Sequence, residues 1–196
     1  MATLESGSTG VKAEVDGNKR LQAQVVDETS DLAHTRLGYG FNINTGDITV
    51  SNATKLTIIY VKNTGDNPLV FTAAIYLTGN STNGTAATDF LWTAIKNPTA
   101  GDIITNTNDC ESISNRLFVS ENTLQGVAYK GAVGETAVSG GSTFFSTRLA
   151  SSGRTAIPIW FVLPKGQSVA VDFTAKTSNT NCIVQCALPC FEQRLT

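Results

Sequence analysis

The sequence predicts an all-β fold: a two-sheet antiparallel β-sandwich, jelly-roll-like, with an extended N-terminal arm. Three observations carry this. From Tyr39 to the C-terminus, short runs of apolar residues alternate with polar ones, the period-2 pattern of strands buried on one face. Clusters of Gly, Pro, Asn and Asp stop these runs at short, regular intervals, as in sandwiches and barrels. No window carries the 3.6-residue apolar stripe of an amphipathic helix, so the crossover helices that a parallel α/β sheet needs are missing.

Residues 1–30 stand apart. They are rich in charge, from Glu5 to Glu28, and hold no aromatic residue. Val11, Ala13 and Val15 alternate with polar residues, as do Leu21, Ala23 and Val25. A frayed terminus seldom alternates in this way, so the segment reads as an extended arm, able to pair as an edge strand, with residues 31–196 as the sandwich domain. Thirty residues cannot bury a core of their own. Val11, Val15, Leu21 and Val25, with Arg20, are therefore candidate contacts to a neighbouring subunit.

Strands are expected over 39–43 and 48–50, joined by a turn at Asn44, Thr45, Gly46 and Asp47. Further strands are expected over 55–61, 69–77 and 89–95, separated by the turn at 63–68 and the polar stretch 79–84. Weaker ones lie near Ile103, Leu117 and Val127. Strong ones return at 143–149, 157–163, 168–173 and 182–191, with Pro164, Lys165 and Gly166 turning the chain between the second and third of these. The best helix candidate, 86–96, is short, and its Thr88, Phe90, Trp92 and Thr93 favour a strand. Polar loops over 78–88, 105–115 and 131–142 suit the ends of a jelly roll.

The composition agrees. Apolar residues reach 41%, enough for a core, while charged residues are 15% against about 25% in ordinary soluble proteins. The difference is made up by 27 Thr, 15 Ser, 15 Asn and 17 Gly, poor helix material because Thr is β-branched and Ser and Asn compete for backbone hydrogen bonds. A formal charge of −2 leaves no basic surplus for phosphates, so nucleic acid is not an expected partner. No apolar run is long enough for a membrane span, and the N-terminus lacks the features of a signal peptide. Synthesis inside a cell without processing is the expectation, and the sequons at Asn52, Asn80 and Asn83 read as compositional accidents.

Catalytic constellations are missing. His34 is the single histidine; no G-x-S-x-G motif accompanies it, so it reads as a surface or junction residue. The acids cluster in the arm and in turns, where side-chain hydrogen bonds to backbone explain them, and nothing selects a carboxylate pair of glycosidase type. Cys182, Cys186 and Cys190 follow C-x3-C-x3-C. On a strand this spacing puts all three on one face about 13 Å apart, too far to share a zinc ion. They read, with Cys110, as buried thiols acting as small hydrophobes, and a reducing cytosol argues against a disulfide from Cys110. The residues around Asp102 and Asp109 lack the pattern of a calcium loop. Neither an enzyme nor a cofactor is expected.

Trp92, Trp160 and Phe161 are the remaining candidates, as a sugar-stacking platform. The alternation places Ile157, Ile159, Phe161 and Leu163 on one face and Trp160 with Val162 on the other. One face is core, which leaves Trp160 for a subunit interface or a second layer ahead of a sugar site.

Several stretches carry a resemblance: Val15-Asp-Gly-Asn-Lys-Arg-Leu-Gln22, Tyr39-Gly-Phe-Asn-Ile-Asn-Thr-Gly-Asp-Ile-Thr-Val50, Tyr60-Val-Lys-Asn63, Lys96-Asn-Pro-Thr-Ala-Gly-Asp-Ile-Ile104, Tyr129-Lys-Gly-Ala132 and Leu163-Pro-Lys-Gly-Gln-Ser-Val169. Together they resemble a group of tailed-bacteriophage virion structural proteins and, more loosely, capsid decoration (cement) proteins that join a jelly roll to an N-terminal arm. The likeness spans most of the chain and consists of ordinary strand and turn phrases. It implies a component of the mature virion, made in the host cytoplasm, with no catalytic residues to transfer; a homo-oligomer on the outer capsid surface with the major capsid protein as partner is expected, as a trimer because capsid lattices offer quasi-threefold positions. The alternative is a host-attachment or carbohydrate-binding module of a tail or head fibre. The chain shows no repetitive shaft before its sandwich, and the shell of tailed phages uses a different α/β fold, so decoration is the leading expectation.

Overall fold

The computed structural model describes residues 3–5, 12–15, 21–24, 29–50, 54–71, 74–81, 90–149, 153–158, 160–175 and 182–194. Its strands, in chain order, are β1 (Thr3–Glu5), β2 (Lys12–Val15), β3 (Leu21–Gln24), β4 (Gly40–Asn44), β5 (Ile48–Val50) and β6 (Lys55–Asn63). There follow β7 (Leu69–Phe71), β8 (Ala74–Ser81), β9 (Phe90–Lys96), β10 (Ser112–Asn115) and β11 (Gly126–Lys130). The last five are β12 (Ser142–Leu149), β13 (Gly153–Pro158), β14 (Phe161–Leu163), β15 (Ser168–Ala175) and β16 (Cys182–Glu192). Two short helices, α1 (Ser30–Arg36) and α2 (Asp102–Thr105), contribute seven and four residues.

From residue 40 to 192 the strands pair in nested order. β4 and β5 pair with β16, β6 with β15, β7 with β14 and β8 with β13, and β9 with β12, all antiparallel. The innermost pairing is a single bridge between Asp109 and Tyr129. The domain is thus one long antiparallel ribbon, rolled so that successive pairs fall alternately into two sheets, which is the expected jelly-roll sandwich. The first sheet runs β10-β4-β16-β7-β14, with β5, β8 and β13 continuing the lines of β4, β7 and β14; the second runs β11-β6-β15-β9-β12.

β16 shows why the layers adhere. Its burial alternates strictly from Cys182 through Val184, Cys186 and Leu188 to Cys190, presenting one apolar face to the second sheet, whose Leu56, Ile58, Val61, Val171 and Phe173 complete the core. At roughly 25 cal/mol per Å² of apolar area removed from water, this layer is the main stabilising term.

Four local differences from the sequence expectation have physical causes. Asn44–Asp47 does not reverse the chain. Thr45 is buried and replaces one rung of the ladder, its N–H donating to Cys186 O at 3.0 Å and its Oγ1 accepting from Cys186 N at 3.0 Å, so the segment is a bulge within one line. Gly46 there has φ +67°, and a Cβ would strike the Glu111 carboxylate. Ile103 lies in α2, not in a strand: Asp102 exchanges hydrogen bonds with Thr136, its N–H to Thr136 O and Thr136 N to its Oδ2. The strand near Leu117 ends earlier, at Asn115, and Leu117 opens a turn. The segment 131–141 does not extend from a sandwich end but lies over the outer face of the second sheet, where Val138 and Ile103 pack with Tyr60, Ile95 and Ala170 in a second small core.

Under that cover sits a buried carboxylate. Asp172 accepts from Thr57 Oγ1 at 2.6 Å and pairs with Lys55 Nζ at 2.7 Å, while Thr57 Oγ1 accepts from Val138 N at 2.8 Å. Burial raises the Asp172 pKa above the ordinary value of 3.8, with Thr57 and the ammonium of Lys55 opposing the rise. A raised native pKa means that the folded state holds the proton more tightly than the unfolded one. The stabilising contribution is complete below 3.8 and is lost as pH rises through the native value. Asp172→Asn is therefore expected to flatten stability across that window, and Lys55→Ala to steepen the loss. Denaturation midpoints measured across pH check both, and an unchanged profile in both variants would refute the assignment.

The N-terminal alternation does mark strands. β1, β2 and β3 pair antiparallel as a separate three-stranded sheet, with Ala13 opposite Ala23 and Val15 opposite Leu21, rather than extending an edge of the sandwich. Of the expected arm contacts, Val15 and Leu21 fall in these strands, whereas Val11, Arg20 and Val25 lie outside the described residues.

Candidate interaction surface

The two sheets differ in what they leave open. The outer face of the second is roofed by 99–105 and 131–141. Among the described residues, α1 covers one end of the first. Thr29 caps this helix, its hydroxyl accepting from Leu32 N. Asp31 forms a two-pronged pair with Arg116, Nη1 to Oδ2 at 2.9 Å. His34 donates to Ser30 O at 2.6 Å and stacks on Phe191 at 4.5 Å between ring centres. His34 is thus a junction residue, as expected, locking helix to sheet.

From beneath α1 an apolar row crosses the outer face of the first sheet. Register sets Gly40 opposite Phe191, Phe191 opposite Val70 and Val70 opposite Val162. Phe191 is buried, Val70 half-buried, and Val162, on the edge strand β14, is 54% exposed. Trp160 precedes β14 and is 78% exposed. Together they wall a pocket of about 450 Å³ that also takes in Thr29, Ser30 and Asp31. Trp160 and Val162 therefore share the outward side, as the alternation predicts, and among the described residues Trp160 stands open to solvent. Trp92 does not join them: it is 1% exposed, edge-on to Phe173 at 4.7 Å in the core, which removes it from any sugar platform.

On the other side of Val162 lies a groove of about 490 Å³ at the open edge of the sandwich. Phe161 is stacked on Phe71 at 4.4 Å and meets Phe144 edge-on at 5.6 Å. Phe144 sits at a register shift in β12, between Thr143 and Phe145. The extra residue turns it out over the groove, which no local sequence signal announces. Leu163 and Val169 deepen the floor, and Lys96 and Lys165 stand at the rim.

No group of three or more His, Cys, Asp or Glu residues that could hold a metal comes together among the described residues. The four cysteines are buried thiols. Burial pushes the Cys110 and Cys190 thiols up to about 12 and raises Cys182 and Cys186 as well, the opposite of an activated nucleophile. All four are expected to resist a thiol reagent at mildly alkaline pH in the native protein and to react once it is unfolded. A fast-reacting thiol in the native state would contradict this.

The fold and surface define an all-β jelly-roll sandwich with an exposed apolar row and groove. No helix among the described residues is long and apolar enough to cross a membrane. Comparison with protein-family models, curated proteins and solved structures gives no match.

Proposed function

We propose that this chain is a non-catalytic structural protein of a tailed-phage virion that binds the outer capsid surface and cements the shell. It acts as a symmetric homo-oligomer, a trimer at the quasi-threefold positions of the lattice, with the major capsid protein as its partner and no cofactor or nucleic acid. The observation that carries the reading is the asymmetry of the sandwich: 99–105 and 131–141 cover part of the outer face of the second sheet, while the first leaves Trp160 and Val162 exposed beside a groove at the open edge. Exposed contiguous apolar surface on a stable domain is characteristic of interaction sites. Each contact needs only a few kcal/mol, because many copies act together and interfaces of ~1,600 Å² suffice.

The test is particle stability with and without this protein. Particles lacking it should lose their contents at lower temperature and under milder osmotic shock. Removing residues 1–28, which spares the Thr29 cap and the Asp31–Arg116 pair, should leave the sandwich folded and weaken its binding to particles.

One observation favours a second reading, a host-attachment or carbohydrate-binding module. Trp160 is an exposed indole beside a pocket furnished with the hydroxyls of Thr29 and Ser30 and the carboxylate of Asp31, the combination on which a sugar ring stacks and hydrogen-bonds. Particles that lack the protein, resist heat and shock normally and fail to adsorb to cells would favour that reading.

A further inference from the structure

The turn after β10 is constructed to hold two apolar side chains in water. Phe118 is 102% and Val119 85% exposed, at the tip of a turn closed by Ser120 N donating to Leu117 O at 2.9 Å. Both flanks are pinned. Asn115 Oδ1 accepts from Leu117 N at 2.8 Å, and Asn115 Nδ2 donates to Gly38 O at 2.7 Å. Asn122 Nδ2 and Ser120 Oγ donate to the same Gly38 carbonyl at 3.2 and 3.3 Å. Arg116 is anchored twice, by its side chain on Asp31 and by its N–H on Gly40 O at 2.9 Å. A floppy loop would lose ordering entropy on docking; this one is ordered beforehand. One exposed Phe is unremarkable on a surface, but an adjacent Phe and Val on a locked tip form a knob.

The groove walled by Phe144, Phe161 and Val162 is a socket of matching character, and the two lie on opposite edges of the same sheet. Asn115 pairs with Phe41, next to Gly40 in the row that ends at Val162. Knob and socket therefore flank one end of the sheet, four strand spacings or roughly 19 Å apart. Their borders are complementary in charge. Glu121, exposed, adjoins the knob, and Lys96 stands exposed at the socket rim, next to Lys165, which is itself paired with Asp66 at 2.5 Å.

We propose that copies of this chain associate head to tail, Phe118 and Val119 of one copy entering the groove beside Val162 of the next, with Glu121 facing Lys96. Such a contact is heterologous, so it propagates and closes into a ring when the rotation between copies permits. This rests on the oligomer in the proposed function and specifies its interface.

The test uses the purified full chain, without particles, so that it stands or falls separately from shell binding. Molar mass is measured by light scattering over a concentration series. A knob variant, Phe118→Ser with Val119→Ser, and a socket variant, Val162→Asp, should each remain folded, because all three side chains are exposed. Each should self-associate roughly a hundredfold or more weakly than the unaltered chain. Mixed together they should form one-to-one pairs and nothing larger, since one intact knob meets one intact socket and neither remaining end can dock. Glu121→Lys should weaken the oligomer, and combining it with Lys96→Glu should restore it. A knob variant that keeps the oligomeric state of the unaltered chain, a mixture that stays monomeric, or an unaltered chain that is monomeric throughout the series would each overturn the proposal.

Discussion

Phe173→Ala is expected to lower the stability of the folded chain by about 3–5 kcal/mol, read as a shift of the denaturation midpoint with unchanged cooperativity. Phe173 lies in β15, between β6 and β9, with Leu56 and Trp92 directly across on its two sides. It is fully buried, and its ring is 5.4 Å from Phe90 and 4.7 Å from Trp92. Truncation removes the centre of a three-ring cluster and leaves a cavity against two large rings. The walls cannot close on it, because β15 is held by ladders on both edges and cannot shift without breaking one of them. Phe173→Leu keeps much of the volume and should cost about 1–2 kcal/mol. A loss below 1 kcal/mol for the alanine variant would mean that the sheets collapse where the double ladder says they cannot.

The same cluster illustrates how much of the fold was legible beforehand. Strand pattern and inward side follow from period 2, which needs no partner to be known. Hence the strict burial from Cys182 to Cys190 and the outward placing of Trp160 and Val162 were readable. What escaped depends on partners far along the chain. The pairing of Thr57 with Asp172 and the seat of Val138 on Thr57 span 115 and 81 residues, so no window contains them, and by pattern alone the roof over the second sheet reads as an end loop. α1 escaped for another reason. It has no buried residue and so no apolar stripe; only the cap at Thr29 and the acidic Asp31 in its first turn announce it. The interaction surface was half legible. Trp160 was singled out, but Phe144 reaches the groove through a register shift, and Phe118 stands out because Asn115 and Asn122 clamp a carbonyl at Gly38, contacts that only the folded chain creates.

Asn63→Ala is expected to cost about 2–4 kcal/mol, from two or three hydrogen-bonding groups at ~1–3 kcal/mol each left without partners. Asn63 ends β6 and is fully buried. Its Nδ2 donates to Asn67 O at 2.9 Å and to Leu163 O at 2.8 Å, and its Oδ1 accepts from Gly65 N at 2.9 Å. Both amide hydrogens are thus used. Its backbone adds two more ties, N–H to Gln167 O at 3.0 Å and carbonyl from Gly166 N at 2.8 Å. One side chain joins the end of the second sheet to β14 of the first and shapes two turns. Asn63→Asp separates hydrogen bonding from shape: it preserves the bond from Gly65 but sets a carboxylate oxygen against the carbonyls of Asn67 and Leu163. It should therefore be at least as damaging as alanine at neutral pH and recover partly in acid, where a protonated carboxyl can donate again. Leu163, Pro164 and Lys165 form one wall of the groove, so the effect should not stop at stability. At temperatures where Asn63→Ala remains folded, the wall held by Leu163 O loses its tie, and self-association through the groove should weaken although no residue in the contact has changed. Equal stability in the two variants across pH, with association unaltered, would show that the ladders alone fix this corner.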